Sequence, residues 1–485
     1  MEAACGCHDP GFILRLLYGG EDAEHIEAWL AERLTHFTPP PARPINQGDV
    51  LLTVDPHQFT RVHKKGLPNL QTILDDLPDG LFSGLHLLPF YAGTSAGAST
   101  DTLAVTDPLV VDPALGGWED IRRLGERFTL AFDAALSTLS TESRAFKAFL
   151  DQQPPFDHFF LHKIIGEDGA LPIPSQLTRF ETAAGPLAVF STFGEGLADL
   201  DYAQAPVFEH ALDVLLTCIE HGAQIIRLTD VAHLVKGSGG GLHLPQTHLL
   251  VRALRALLDG IAPGVQLVAE SGLLFSEPNW YIGNGFNEVH LAQHTPLMDN
   301  LEGAVLSGDA RQLTQRAAAV ALPCDRVSLY HPLPDLGGMT PAQARVQVAA
   351  GLALAGVPSV RLDNLLLFGG AIGFRLDGER LHTIEDLLNT RRAQAAFDPH
   401  SAQLVLDAGT SVFAVLRISP DLIGQALCLH NFSSDACQVD GELLADACGL
   451  AHARDLLTRE VIDLQGEVVL PGHAVWWLSG VSPEG

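Results

Sequence analysis

Several apolar runs in this sequence end on ionisable side chains: Asp133 after "FTLAF", Arg227 inside "AQIIRLTD", Glu270 after "VQLVA", and Asp325 after "AVALPC". A carboxylate closing a buried strand must be paired, protonated or face a cavity, because an isolated buried charge is too costly to keep. Together such groups suit sugar chemistry. Retaining glycosyl transfer needs one carboxylate to attack the sugar and a second, roughly 5 Å away, to protonate the leaving oxygen. The stretch "AQIIRLTDVAHLVKG", Ala223 to Gly237, qualifies that reading. Residues two apart on an extended chain share a face, so Arg227 and Thr229 point together and Asp230 points the other way. A pocket facing Arg227 then receives a hydroxyl in place of a carboxylate. Asp230 reaches that pocket only through a local bulge, and Thr229 attacks only with a base that no His at a matching strand end supplies. Singly, each charged residue is explained as well by a structural ion pair, such as Arg227 with Glu270 or Asp325.

The elements that must carry these groups are short and apolar. From Asp49 onward "VLLTV", "GLHLLP", "FTLAFD", "QIIRL", "QLVAE", "FNEVHL", "AAVALP" and "GVPSVRL" recur with longer connections between them. The pattern predicts an α/β fold, a parallel (β/α)8 barrel over 49–400, whose functional groups gather at the carboxyl ends of its strands. Residues 1–48 read as a helical segment stopped by "TPPPARP". A long connection rich in Pro, Phe and Gly, about 141–200, reads as a subdomain inserted after the third strand. Residues 401–485 alternate in short strands and predict a C-terminal all-β domain, a β-sandwich.

Composition narrows the function. The 485 residues suffice for one enzyme-sized domain and a smaller one, and 47% hydrophobic against 18% charged residues argues against disorder. A formal net charge of -29 disfavours nucleic acid and anionic membrane as partners, without forbidding a small phosphate in a local Arg pocket. Seven Cys fit free thiols in a reducing compartment, and no membrane-length apolar run or secretory leader is evident, so a cytoplasmic location is expected. "CGCH" at Cys5–His8 lacks a second ligand pair at zinc-like spacing, so no metal is expected. "GSGGG" at Gly237–Gly241 lacks the Lys and Ser/Thr of a phosphate loop and reads as a flexible loop.

"HLPQTH" (His243–His248), "VDPALGGWEDI", "RLTDVAHLVK", "AFDPHSAQLVLDAGTSVFAVLRISP" and "ARDLLTREV" together resemble the sucrose phosphorylase and glucosylglycerate phosphorylase group of the α-amylase family, glycoside hydrolase family 13. The prelude and "RPINQGDVLLTVD" look most like the longer glucosylglycerate-type members. The resemblance implies a barrel with an inserted domain and a terminal β domain. It also implies transfer of a glucosyl unit between an acceptor and inorganic phosphate through a covalent glucosyl-enzyme, with no other cofactor. It further implies that the nucleophilic Asp is replaced by Thr229, while the general acid survives as Glu270, the Arg as Arg227, and the seventh-strand Asp as Asp325 with Cys324 in place of the preceding His. Asp133 survives, but the Asn-His pair that follows is Ser137 and Thr138. In "TDTLAVTDP" the glucose-binding Asp falls on Thr100 and the Tyr on Pro108. Arg391 in "LLNTRR" matches a further sugar-site Arg, and the outward surface of a helix accounts for it equally well.

Joint replacement at Thr229, Thr138, Thr100 and Cys324 removes the grip on the glucosyl hydroxyls together with the nucleophile. The leading expectation is therefore a catalytically inactive relative that binds a glucoside or sugar phosphate, a protein partner or a second copy of itself. The alternative is an active enzyme in which phosphate or water attacks directly while Glu270 protonates the leaving group. A third is recruitment of the pocket for another ligand, with Cys324 as a thiol beside Asp325.

Overall fold

In the computed structural model, eight short strands pair in parallel and close on themselves. They are β1 (Leu51–Val54), β2 (Gly84–Leu87), β3 (Thr129–Ala134), β4 (Ala223–Leu228), β5 (Gln266–Ala269), β6 (Leu291–Gln293), β7 (Ser328–Pro332) and β8 (Val357–Arg361). Closure comes from β1 lying between β2 and β8, with Leu51 opposite both Gly84 and Ser359. The structure describes residues 9–41, 43–61, 63–93, 104–164, 177–182, 185–236, 241–270, 281–320, 326–369 and 373–480.

Alternation along each strand sorts its side chains between two cores. Leu51, Ala131, Ile225, Val268, Leu291, Tyr330 and Val357 meet inside the barrel. Their neighbours Leu52, Phe132, Ile226, Leu267, Ala292, Leu329 and Val360 face outward into the core shared with the surrounding helices. The inner layer draws on seven strands and fills the barrel as packed side chains rather than a pore.

The expected barrel is present, and two of its strands lie elsewhere than the sequence suggested. "FNEVHL" contributes only its last residue to β6. Glu288 before it is buried against His248 and Arg252, so the apolar look of that run reflects a buried turn rather than a strand. "AAVALP" is not β7. Its first two residues end the helix Arg311–Ala319, as an Ala-rich stretch favours, and β7 is the more polar "SLYHP". Asp325 and Cys324 thus precede β7 instead of closing it, and both lie outside the described residues, as do Thr100, Cys5–His8 and four of the five residues of "GSGGG".

Two helices, Pro10–Tyr18 and Gly20–Arg33, precede the barrel, separated at Gly19, whose φ of 86° a side-chain-bearing residue rarely adopts. Arg33 fixes the second to the helix Ala205–Glu220 through Asp213 and Glu220 at 2.6 and 2.7 Å. Between β3 and β4 lie the helix Arg144–Leu150, a three-stranded antiparallel sheet and the pair Thr138–Ser140 with Leu197–Asp199. Beyond the barrel, six antiparallel strands form one sheet. One face (Phe413, Val415, Cys428, Trp477) joins the barrel core, and the other (Ala414, Leu416, Leu427, Leu429) is covered by the ribbon Cys437–Asp440 with Glu467–Leu470 and the helix Gly441–Cys448. That second layer is thus a ribbon and a helix, where a second full sheet was expected. Among the described residues no helix is long and apolar enough to cross a membrane.

Candidate active site

Directly above the apolar layer, towards the carboxyl ends of the strands, inward side chains from seven strands form one connected polar layer. Asp133 on β3 is fully buried and receives Arg227 of β4 in a bidentate fork, Nε and one terminal nitrogen each at 2.7 Å. The same carboxylate accepts from His86 Nε2 on β2 at 2.8 Å. Nδ1 of His86 is 2.7 Å from the Tyr330 hydroxyl on β7. Because a carboxylate only accepts, a neutral His86 carries its proton on Nε2, and Tyr330 donates to Nδ1. Ser359 of β8 and Thr53 of β1 bond to each other beside the Tyr330 oxygen, which accepts from one of them. On the other side Arg227 donates to Gln293 of β6 at 2.9 Å.

This layer is electrostatically closed. Burial alone would push the Asp133 carboxyl up, but Arg227 and His86 outweigh it and hold the group well below the usual carboxylate range. Arg227 is held above its ordinary value by Asp133 despite its own burial. Its ion-pair partner is therefore Asp133, across one strand boundary, rather than Glu270. Asp133 and Arg227 spend their hydrogen-bonding capacity on each other and on neighbouring strands.

One level higher, at the mouth, stand Thr229 and Glu270. Thr229 has the inward parity of Arg227, is 3% exposed, and donates its hydroxyl to the Ala134 carbonyl at 3.2 Å. Strand β4 has already ended at Leu228, and Asp230 lies in the left-handed region with φ 51°. The irregularity in β4 falls at its other end, between Ala223 and Ile225, so it does not re-aim Asp230. That turn points the Asp230 N–H at the Glu270 carboxylate, 3.2 Å away. Glu270 is half-buried, and among the described residues this is the one hydrogen bond of its carboxylate. Pro332 closes β7 with inward parity, whereas His331 points outward and bonds the Ala355 carbonyl at 2.7 Å.

The remaining expected positions scatter. Thr138 is buried in the ladder opposite Asp199, and Ser137 is buried beside it. Pro108 is buried in the strand Asp107–Val111. Arg391 is not at the mouth. It is fully buried at the opposite end of the barrel, bonding the carbonyls of Leu352, Gly356 and Gln47. The outward helix surface suggested by "LLNTRR" does not hold for it either. "HLPQTH" starts the helix Pro245–Ile261, with His243 on Tyr281 at 2.8 Å and His248 on Glu288 at 3.0 Å.

Sequence reasoning missed His86, Gln293, Tyr330 and the pair Lys236–Asp199. Lys236 lies 2.8 Å from the fully buried Asp199, tying the loop after β4 to the insertion. Burial lowers the Lys236 ammonium, with Asp199 opposing. His86 alone left a signal, an inward-parity His within the apolar "GLHLLP".

Fold and mouth define the class, a (β/α)8 barrel of the α-amylase type followed by a β-rich domain. It is shared with the α-amylase of H. orenii (TM-score 0.72, 14% identity, 90% of this chain and 100% of that one). The sucrose 6F-phosphate phosphorylase of Thermoanaerobacter thermosaccharolyticum also shares it (TM-score 0.61, 16% identity, 80% and 94%). At those identities the likeness shows the fold alone. More particularly, the sequence resembles glucosylglycerate and sucrose phosphorylases. It is 36% identical over 290 residues to glucosylglycerate phosphorylase of Allomeiothermus silvanus, covering 58% of this chain and 51% of that protein. Against glucosylglycerate phosphorylase of Spirochaeta thermophila it is 28% identical over 485 residues, 80% and 81%. Against sucrose phosphorylase of Bifidobacterium adolescentis it is 24% identical over 219 residues, 42% and 42%. The match to the first of these spans about half of that relative's length. No family model matches the chain.

Proposed function

We propose that this chain is a sucrose/glucosylglycerate phosphorylase-like protein of carbohydrate metabolism that has lost retaining phosphorolysis and acts by binding or regulation. The observation that carries the reading is Thr229, inward-facing at the end of β4 with its hydroxyl committed to Ala134. A retaining mechanism needs a carboxylate across the sugar from Glu270. The ligand this reading favours is a glucoside or sugar phosphate; a protein partner or a second copy is the other route to a regulatory role. The test is phosphate-dependent turnover of sucrose and glucosylglycerate, with the anomer of any glucose 1-phosphate resolved by NMR, beside Thr229→Asp. Silence in wild type and variant is expected. An α-configured product lost in Glu270→Gln would overturn the reading.

One observation favours a second reading. Glu270 is half-buried at the mouth, with no Lys or Arg hydrogen-bonded to it among the described residues. This supports a reading in which Glu270 serves as general acid while phosphate or water attacks directly, with inorganic phosphate as co-substrate. That route inverts the anomeric carbon, so it predicts the β anomer of glucose 1-phosphate.

A further inference from the structure

The barrel has a second polar opening at its closed end, opposite the mouth. A cavity of about 520 Å³ is bounded there by Arg43, Arg127 and Arg392 together with Asn46, Ser83 and Gln224. A narrower recess shares Arg43, Thr129 and Gln224 with it and adds Gln266. Thr129 opens β3 and Gln266 opens β5, so the recess sits beneath the apolar layer, separated from the mouth by the packed barrel.

Two of the three guanidinium groups, Arg127 and Arg392, are positioned by main-chain carbonyls, and Arg43 is held by the Asp49 carboxylate and the Thr129 hydroxyl. Arg127 donates to Leu74 and Leu77 at 2.5 and 2.7 Å, and Arg392 to Gly80 and, at 3.0 Å, to Leu81. Carbonyl dipoles fix an arginine without cancelling its charge. The opposing carboxylates are Asp49, which takes Arg43 at 2.7 Å, Asp79, which meets Arg127 at 3.1 Å but is 99% exposed, and Glu126 on the rim. An exposed carboxylate is well screened and compensates weakly. Arg392 has no carboxylate partner among the described residues. A chain of net charge -29 thus keeps a cluster of fixed, incompletely neutralised guanidinium groups around one cavity, and planar forks of this kind match phosphate oxygens.

We infer that this cavity binds a small phosphate monoester. Its phosphate lies between Arg392 and Arg43, and its hydroxyl-bearing body stays within the same cavity, towards Asn46, Ser83 and Gln224. The inference is independent of how the mouth is read. The test is thermal shift and titration calorimetry of the full chain with inorganic phosphate and with a hexose phosphate, against chloride at matched ionic strength. A ligand that binds only the folded state raises Tm by mass action. The expected result is a saturable rise with both phosphates and none with chloride. Arg392→Gln should weaken affinity about tenfold, as expected for one lost charge-assisted contact, while Glu270→Gln should leave it unchanged. Arg43→Gln alters a side chain that is 42% exposed and supplies the same readout should Arg392→Gln fail to fold. A rise matched by chloride, no saturable rise, or binding abolished by Glu270→Gln but kept in both arginine variants would each overturn the inference. The last result would place phosphate at the mouth, in line with direct attack there.

Discussion

Asp133 shows how a residue expected to grip a sugar becomes part of the wall. With both oxygens taken by Arg227 and His86, removing its charge strands a buried guanidinium. Asp133→Asn is therefore expected to cost about 3–5 kcal/mol, read from urea unfolding. Thr229→Asp would set a carboxylate against the Ala134 carbonyl that the hydroxyl now satisfies, so a loss of about 1–3 kcal/mol is expected beside its catalytic silence. An increase in stability on that substitution would mean that the position still favours a carboxylate. At this scale the sequence was legible where strand parity decides, as for Arg227, Thr229 and Asp133. It was not legible for Tyr330 or Gln293, because a hydroxyl or amide within an apolar run carries no periodic signal of its bonding partner.

Among the elements, the barrel announced itself through repeated apolar runs, but two strands were misplaced, because a short buried run looks alike in a strand, a turn or a helix end. Arg391 is the clearest case of chemistry read where structure was at work. Its guanidinium gathers carbonyls from the turn before β1, the end of the helix Pro341–Ala353 and the residue before β8. Burial and the nearby Arg417 push it down to about 9. Arg391→Met should lower stability by on the order of 3 kcal/mol and speed hydrogen exchange around β1 and β8. It should leave ligand affinity at the mouth unchanged, whereas a sugar-site arginine would show the opposite pattern.

For the whole molecule, the dominant solution variable is pH. Burial depresses His331 to about 4, His430 to about 3 and His290 to about 3. An unfolded histidine titrates near 6.5, so below that value the unfolded chain binds protons that these native histidines refuse. Their contribution is complete above about 6.5 and is lost progressively as pH falls towards the folded values, with Asp133 adding a later loss in stronger acid. Urea midpoints should fall steadily from pH 7 to pH 4, His331 alone accounting for on the order of 3 kcal/mol. A flat profile over that range would show these rings to be solvated in the native state. The polar layer of the barrel also has a kinetic consequence. Two of its links, Thr53 to Ser359 and Tyr330 to His86, join the first strands to the last and so cannot form until the barrel closes. Substitutions there are expected to leave the folding rate nearly untouched and to accelerate unfolding instead, which makes this ring of small polar contacts the clasp that sets the lifetime of the native barrel.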